Sequence, residues 1–205
     1  MNRPSLVVKL GGSHLGAPSL LAWLRVIAAS APLLLVPGGG AFADTVRAMQ
    51  PRLGFSDRAA HDMSLLAMNQ FGRLLCDLQP GLRMASDFAA VETTIAARQV
   101  AVLAPWPMLV EEPTLPASWD VTSDSLALWF ARHYRSNLLI VKRARPSGDL
   151  ALETLSASAF LDRAFPRLSE GYSGAFFIAG EGDIPVHALD RIHLPGVAVP
   201  LLGLA

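Results

Sequence analysis

Two apolar runs end in glycine-rich turns within the first forty positions: Leu6-Val7-Val8-Lys9-Leu10 before Gly11-Gly12-Ser13, and Leu33-Leu34-Leu35-Val36 before Pro37-Gly38-Gly39-Gly40. Short continuous apolar runs rich in Val and Leu predict strands covered on both faces, as in a parallel sheet. Between them, Leu20, Leu21, Trp23, Leu24 and Ile27 recur at helical spacing over 19–29, so the segment reads as strand, helix, strand. The pattern then predicts helices over 41–50 and from Ser56, an N-cap residue, to about Leu78, where Pro80-Gly81 stops the run. Further helices fall over 89–98 and 123–135, and strands over 100–103, 138–141, 174–179 and 197–202. This alternation predicts an α/β protein: a single three-layer α/β/α domain over 1–205 with a mainly parallel central sheet. The segment 143–149, with Pro146, Ser147 and Gly148, is the expected mobile loop.

Composition narrows the class. A content of 52% hydrophobic and 17% charged residues suits one folded domain, and a net charge of zero with scattered Lys and Arg argues against nucleic-acid binding. Cys76 is the only cysteine, so no internal disulfide is expected and a reducing compartment, the cytoplasm, is the expected location. The N-terminal apolar run stops at Leu10, and 20–36 is interrupted by Arg25, Ser30 and Pro32, so neither a secretory signal nor a membrane span is expected.

Glycines at the carboxyl ends of strands let backbone N–H groups approach an anion closely, which makes the two turns a candidate phosphate site. Lys9 lies inside an apolar strand, where an ammonium is costly unless it reaches an anionic partner beyond the strand end. Lys142 follows the strand over 138–141, a usual position for ligand-binding groups in open α/β sheets, though a solvated strand terminus is the alternative. Asp120 and Asp124 lie in the polar stretch Ser118-Trp119-Asp120-Val121-Thr122-Ser123-Asp124. Either they organise lysines or cations, or Asp120 is a turn residue and Asp124 favours the helix dipole.

On the helix after Ser56, Phe71, Met68, Leu75 and Leu78 mark an apolar face that also carries Asp57, His61 and Ser64. His61 either contacts substrate or is satisfied in the core; Met63 and Met68 are expected in the core. His14 either meets a phosphate or is a solvated loop residue. The histidines and Cys76 show no metal-ligand spacing, so no protein-bound metal is expected, and a Walker-type loop is absent from the sequence.

Val8-Lys9-Leu10-Gly11-Gly12-Ser13, Val36-Pro37-Gly38-Gly39-Gly40, Thr122-Ser123-Asp124 and the strand ending in Lys142 together resemble, in order and spacing, the amino acid kinase superfamily over 6–202. Closer similarity, to members that phosphorylate a phosphate monoester, is carried by Pro37–Asp44, Ala60–Gly72 and Ser118–Asp124. The resemblance implies an ATP-dependent phosphotransferase using Mg²⁺, with an acceptor half over about 1–120 and a nucleotide half over about 121–205. It implies that Lys9 contacts the transferred phosphoryl group, that Gly11 and Gly12 hold phosphate oxygens, that Asp124 orients the lysines, and that Ser13 and Lys142 meet the nucleotide. Gly38, Gly39, Gly40, Asp44, His61 and Asp120 are implied for the small phosphate-bearing acceptor, and self-association is implied as well.

Many superfamily members carry a Val-Asp-Gly-type segment after the lysine strand and a Gly-Thr near the C-terminus. This chain has Arg143-Ala144-Arg145-Pro146 and Leu201-Leu202-Gly203-Leu204 there, so its nucleotide half is short and atypical. Another small phosphate or carboxylate acceptor, and a non-catalytic nucleotide or anion binder, are the alternatives.

Overall fold

The computed structural model describes residues 3–190 and 192–201. Strands β1 (Leu6–Leu10), β2 (Leu33–Pro37), β3 (Leu82–Ala85), β4 (Val100–Leu103), β5 (Asn137–Val141), β6 (Phe176–Ala179) and β7 (Val197–Ala198) form one sheet in the order β3-β4-β2-β1-β5-β6-β7. The first six in that order are parallel, and β7 closes the edge antiparallel to β6. The helices are α1 (Leu20–Ala29), α2 (Gly40–Leu53), α3 (Asp57–Leu78), α4 (Phe88–Ala96), α5 (Pro105–Leu109), α6 (Ser123–Tyr134), α7 (Leu152–Ala157) and α8 (Phe165–Ser169).

Strand alternation divides the core into two layers. Val7, Leu34, Leu138 and Ile140 pack with Leu126 and Phe130 of α6 and with Val91 and Ile95 of α4. Their neighbours Val8, Leu35, Leu139 and Val141 turn to the other face, against Trp23, Leu24 and Ile27 of α1 and Phe71 and Leu75 of α3. Burying both faces explains why these strands read as unbroken apolar runs.

Local signals set the helix ends. Ser56 Oγ accepts from Ala59 N at 3.2 Å, and Asp87 Oδ1 from Ala90 N at 2.7 Å, capping α3 and α4. Gly54, at φ 72°, ends α2 in the left-handed region that favours glycine.

Several elements escape periodicity. β3 is a four-residue edge strand carrying an exposed Arg83, and α5, α7 and α8 are each five or six residues long. The strand expected over 197–202 is two residues, Val197–Ala198, and 202–205 lie outside the described residues. Met63 is 39% exposed rather than core, and Leu78 also leaves the apolar face, whereas Met68 is buried. The 143–149 segment is irregular, with Arg143 paired to Glu181 at 3.0 Å and Arg145 paired to Asp183. Among the described residues no helix is long and apolar enough to cross a membrane.

Candidate active site

From β1 the sheet grows in two directions, through β2 on one side and β5 on the other. The carboxyl ends of β1 and β5 therefore flank a topological switch point, where open α/β sheets place their crevice. Lys9 is the penultimate residue of β1 and shares the face of Val7, toward α6; Lys142 directly follows β5. Both reach the same carboxylate in the first turn of α6: Lys9 Nζ lies 2.7 Å from Asp124 Oδ1, and Lys142 Nζ 2.6 Å from Asp124 Oδ2.

Asp124 is 4% exposed at its side chain, Lys9 7% and Lys142 20%. Burial pushes the Asp124 pKa up, but the charges and hydrogen bonds of the two lysines outweigh it and hold the carboxyl below its ordinary value. Burial also lowers the Lys9 pKa; attraction to Asp124 offsets this in part, while Lys142 adds to the lowering. The result is a buried carboxylate presenting two ammonium groups at the end of the sheet.

The glycine turns meet backbone to backbone beside these groups. A Cβ on Gly12 would stand 2.0 Å from Gly40 N, and one on Gly38 would stand 2.3 Å from Gly12 N. Gly40, at φ 55°, starts α2 in a conformation that L side chains rarely adopt. Gly11 N donates to Val141 O at 3.0 Å and Gly38 N to Leu10 O at 2.9 Å, so these two amides tie the turns to the sheet. The amides of Gly12, Ser13, Gly39 and Gly40 have no backbone acceptor among the described residues and remain as donors for an anion.

A cavity of about 530 Å³ opens over the lysines. Gly11, Gly12, Ser13, Gly39, Gly40, Asp44 and His61 line it, joining Lys9 and Lys142 as the sequence motifs suggest. His61 is buried, and that burial depresses its imidazole pKa, with Asp62 opposing and Arg58 adding to the effect. Two implied residues stand apart. Gly38 is a close-approach position for Gly12, and the Asp120 side chain is exposed outside the cavity, its backbone carbonyl accepting from Ala164 N. His14 is no solvated loop residue: it is fully buried beside the Lys142 backbone.

The opposite wall holds groups that the sequence motifs left without a role. The Arg47 guanidinium lies 4.3 Å from the Trp119 ring centroid, and Trp119 Nε1 donates to Gln50 Oε1 at 2.6 Å. Gln50 Nε2 donates in turn to Asp57 Oδ1 at 2.8 Å. Asp44, Arg47 and Gln50 recur every third position along α2, a period that places them on neighbouring turns and could have flagged Arg47 and Gln50 beside Asp44. Phe160, 5.1 Å from Lys142 Nζ, and Asp162, behind the start of α6, come from the α7–α8 connection and had no such signal.

No family model matches the chain. Over 130 residues it is 30% identical to the (5-(aminomethyl)furan-3-yl)methyl phosphate kinase of Methanocaldococcus jannaschii, covering 62% of this chain and 59% of that protein. The chain thus spans less than two thirds of this curated relative. Among solved structures, uridylate kinase from Archaeoglobus fulgidus aligns with a TM-score of 0.68 at 15% identity, over 96% of this chain and 100% of that one. UMP kinase from Bacillus anthracis aligns with a TM-score of 0.60 at 14% identity, over 86% of each chain. UMP kinases belong to the amino acid kinase superfamily, and the fold is the amino acid kinase fold that the motifs implied.

Proposed function

We propose that this chain is an ATP-dependent kinase that adds a phosphoryl group to (5-(aminomethyl)furan-3-yl)methyl phosphate, giving the diphosphate and ADP in methanofuran-type cofactor synthesis. The observation that carries the reading is the Lys9–Asp124–Lys142 bridge at the switch point, beside two glycine turns with free amides. The 30% identity to a kinase of that acceptor supports the choice of substrate.

Phosphoryl transfer spreads negative charge over the oxygens of the moving group while donor and acceptor stay in line, so positioning and electrostatic stabilisation supply most of the catalysis. An acceptor phosphate oxygen forms the new bond to the γ-phosphorus of ATP, and the bond from that phosphorus to the β–γ bridging oxygen breaks, its electron pair leaving with ADP. Lys9 faces the transferred phosphoryl group from β1, and Lys142 faces the nucleotide phosphates from β5. The amides of Gly12, Ser13, Gly39 and Gly40 hold oxygens on either side. A phosphate monoester has a second pKa near ~6 and is already anionic at neutral pH, so the attacking oxygen needs no general base. Asp124, with both oxygens engaged by lysines, serves to orient them.

Mg²⁺ travels with the nucleotide. Each Asp124 oxygen already faces a lysine, and among the described residues no group of three or more His, Cys, Asp and Glu side chains forms a metal cage. Asp44, Arg47, His61 and Trp119 form the acceptor side. The reading also places the protein in the cytoplasm as a homo-oligomer, a state that light scattering on the purified chain measures directly.

The test is ADP release with Mg·ATP, with and without the furan phosphate, alongside Lys9→Ala. Acceptor-dependent turnover that the variant loses is the expected result. Silence with the furan compound and turnover of another phosphate or a carboxylate would reassign the acceptor. Nucleotide binding without turnover of any acceptor would make the chain a binding protein.

A further inference from the structure

Asp162 lies in the connection between α7 and α8, far in sequence from the lysine motifs, yet its carboxylate reaches the start of α6. Thr122 N and Ser125 N donate to Oδ2 at 2.8 and 2.9 Å, and Thr122 Oγ1 donates to Oδ1 at 2.6 Å. Thr122 is the N-cap residue of α6, but its own side chain caps nothing in the helix. A carboxylate from a different segment therefore holds the turn that carries Asp124. The Asp162 backbone is itself fixed, because its carbonyl accepts from Phe165 N at 3.0 Å and from Ser156 Oγ at 3.2 Å.

A threonine alone is an adequate N-cap. Placing a second buried carboxylate so close to Asp124 adds like-charge repulsion, and both burial and Asp124 push the Asp162 pKa up. Stability of α6 does not require that arrangement, but the transfer centre gains from it. Two ammonium groups face Asp124, and the Asp162 carboxylate behind the same turn favours the charged form of Lys9. The same connection places Phe160 5.1 Å from Lys142 Nζ and puts Ala159, in the left-handed region at φ 57°, on the cavity wall.

We propose that Asp162 is a positioning residue for phosphoryl transfer: by holding Thr122 and Ser125 it sets the first turn of α6 so that Asp124 bridges Lys9 and Lys142. The proposal rests on the kinase reading for its kinetic consequence but not for its structural one.

Crystal structures of the wild type and Asp162→Asn provide the first test, because the bridge is visible without substrate. We expect Asp124 to leave at least one lysine in the variant, with the oxygen-to-Nζ distance opening beyond ~4 Å, past hydrogen-bond reach. With the acceptor that the wild type turns over, kcat should fall at least about 10-fold while KM for ATP and acceptor stays within about two-fold, the signature of an interaction made mainly in the transition state. Thr122→Val, which removes only the Oγ1 bond, should change kcat in the same direction by a few fold, and it replaces Asp162→Asn if that variant does not fold. An intact bridge with unchanged kcat, accompanied only by a lower Tm, would make Asp162 a plain helix cap and overturn the proposal. A wild type inactive on every acceptor would overturn the kinase reading while leaving the bridge distances to decide this one.

Discussion

The two walls of the cavity are built differently. On the strand-end wall, Lys9 and Asp124 are 7% and 4% exposed at their side chains; on the helical wall, Arg47 and Asp44 pair at 3.5 Å with side chains 52% and 70% exposed. Buried charges act in a low effective dielectric and hold their geometry, whereas exposed pairs are screened and contribute about 0–1 kcal/mol. The first wall is thus suited to a reaction whose electrostatics must be preset. The second is suited to choosing an acceptor, since its residues can change without unsettling the core.

The largest effect should come from the strand-end wall. Lys9→Ala removes a charge aimed at the developing oxyanions, and loss of one such group typically costs about 10²–10³-fold in kcat. Steady-state kinetics should show that fall with little change in acceptor KM; unchanged kcat would remove Lys9 from the transition state. Asp124→Ala should destabilise the fold as well, by about 3–5 kcal/mol in denaturant titration, because it leaves two ammonium groups without their shared buried partner. A loss below ~1 kcal/mol would mean that the lysines relax into solvent and that the wall is not preset.

The glycine turns extend the contrast to the backbone. Gly12→Ala puts a Cβ 2.0 Å from Gly40 N, so the turns must separate, whereas a Cβ on Gly182 meets nothing within 4 Å. Overpacking of this kind costs about 1–3 kcal/mol or more. Gly12→Ala should therefore lower Tm and weaken nucleotide binding in calorimetry, with Gly182→Ala close to wild type. Equal behaviour of the two would show that the turns are not packed as described.

This division also explains what was legible in the sequence. The strands that carry Lys9 and lead to Lys142 bury both faces, so apolar runs declared them, and glycines followed β1 and β2 because only glycine fits where Gly12 meets Gly40. Asp124 was legible as a first-turn carboxylate within a motif. Asp162 was not, because its partners Thr122 and Ser125 are brought to it only by tertiary packing. Asp120 misled for the converse reason. It sits in the Ser118–Asp124 motif beside Trp119, but the turn directs Trp119 to the cavity and leaves the Asp120 side chain exposed outside it. α5, α7 and α8 are too short for a helical period to register, and β3, an edge strand carrying the exposed Arg83, lacks the unbroken apolar run that declared β4 at the same length.

A smaller effect is expected on the helical wall. Gln50→Leu strips the acceptor from Trp119 Nε1 and the donor from Asp57, two hydrogen bonds worth about 1 kcal/mol each. Acceptor KM should rise roughly 5–10-fold, with kcat and the KM for ATP near wild type. Indole fluorescence titrated with acceptor gives an independent reading of the same wall. A change in kcat of similar size would join the two walls into one functional unit and erase the contrast.

The smallest effect is in the dependence on pH, and there activity and stability should diverge. Burial holds the Lys9 pKa below 10.5 in the folded chain, despite Asp124. Between the folded value and 10.5, the unfolded chain binds more protons at Lys9, so this group's contribution to stability rises with pH. Over the same interval the folded enzyme loses the ammonium that faces the phosphoryl group, so kcat should fall. Asp124 has the opposite placement: its folded pKa lies below 3.8, so its stabilising contribution holds above the ordinary carboxylate value and disappears as pH falls through the folded one. Denaturant titrations at rising pH up to 10.5, compared between wild type and Lys9→Met, isolate the lysine: the wild type should gain stability relative to the variant as its kcat declines. A loss of stability relative to the variant as pH nears 10.5, with kcat unchanged, would mean that Lys9 is held charged by Asp124 beyond its ordinary range, making the strand-end wall a source of stability instead of a cost carried for catalysis.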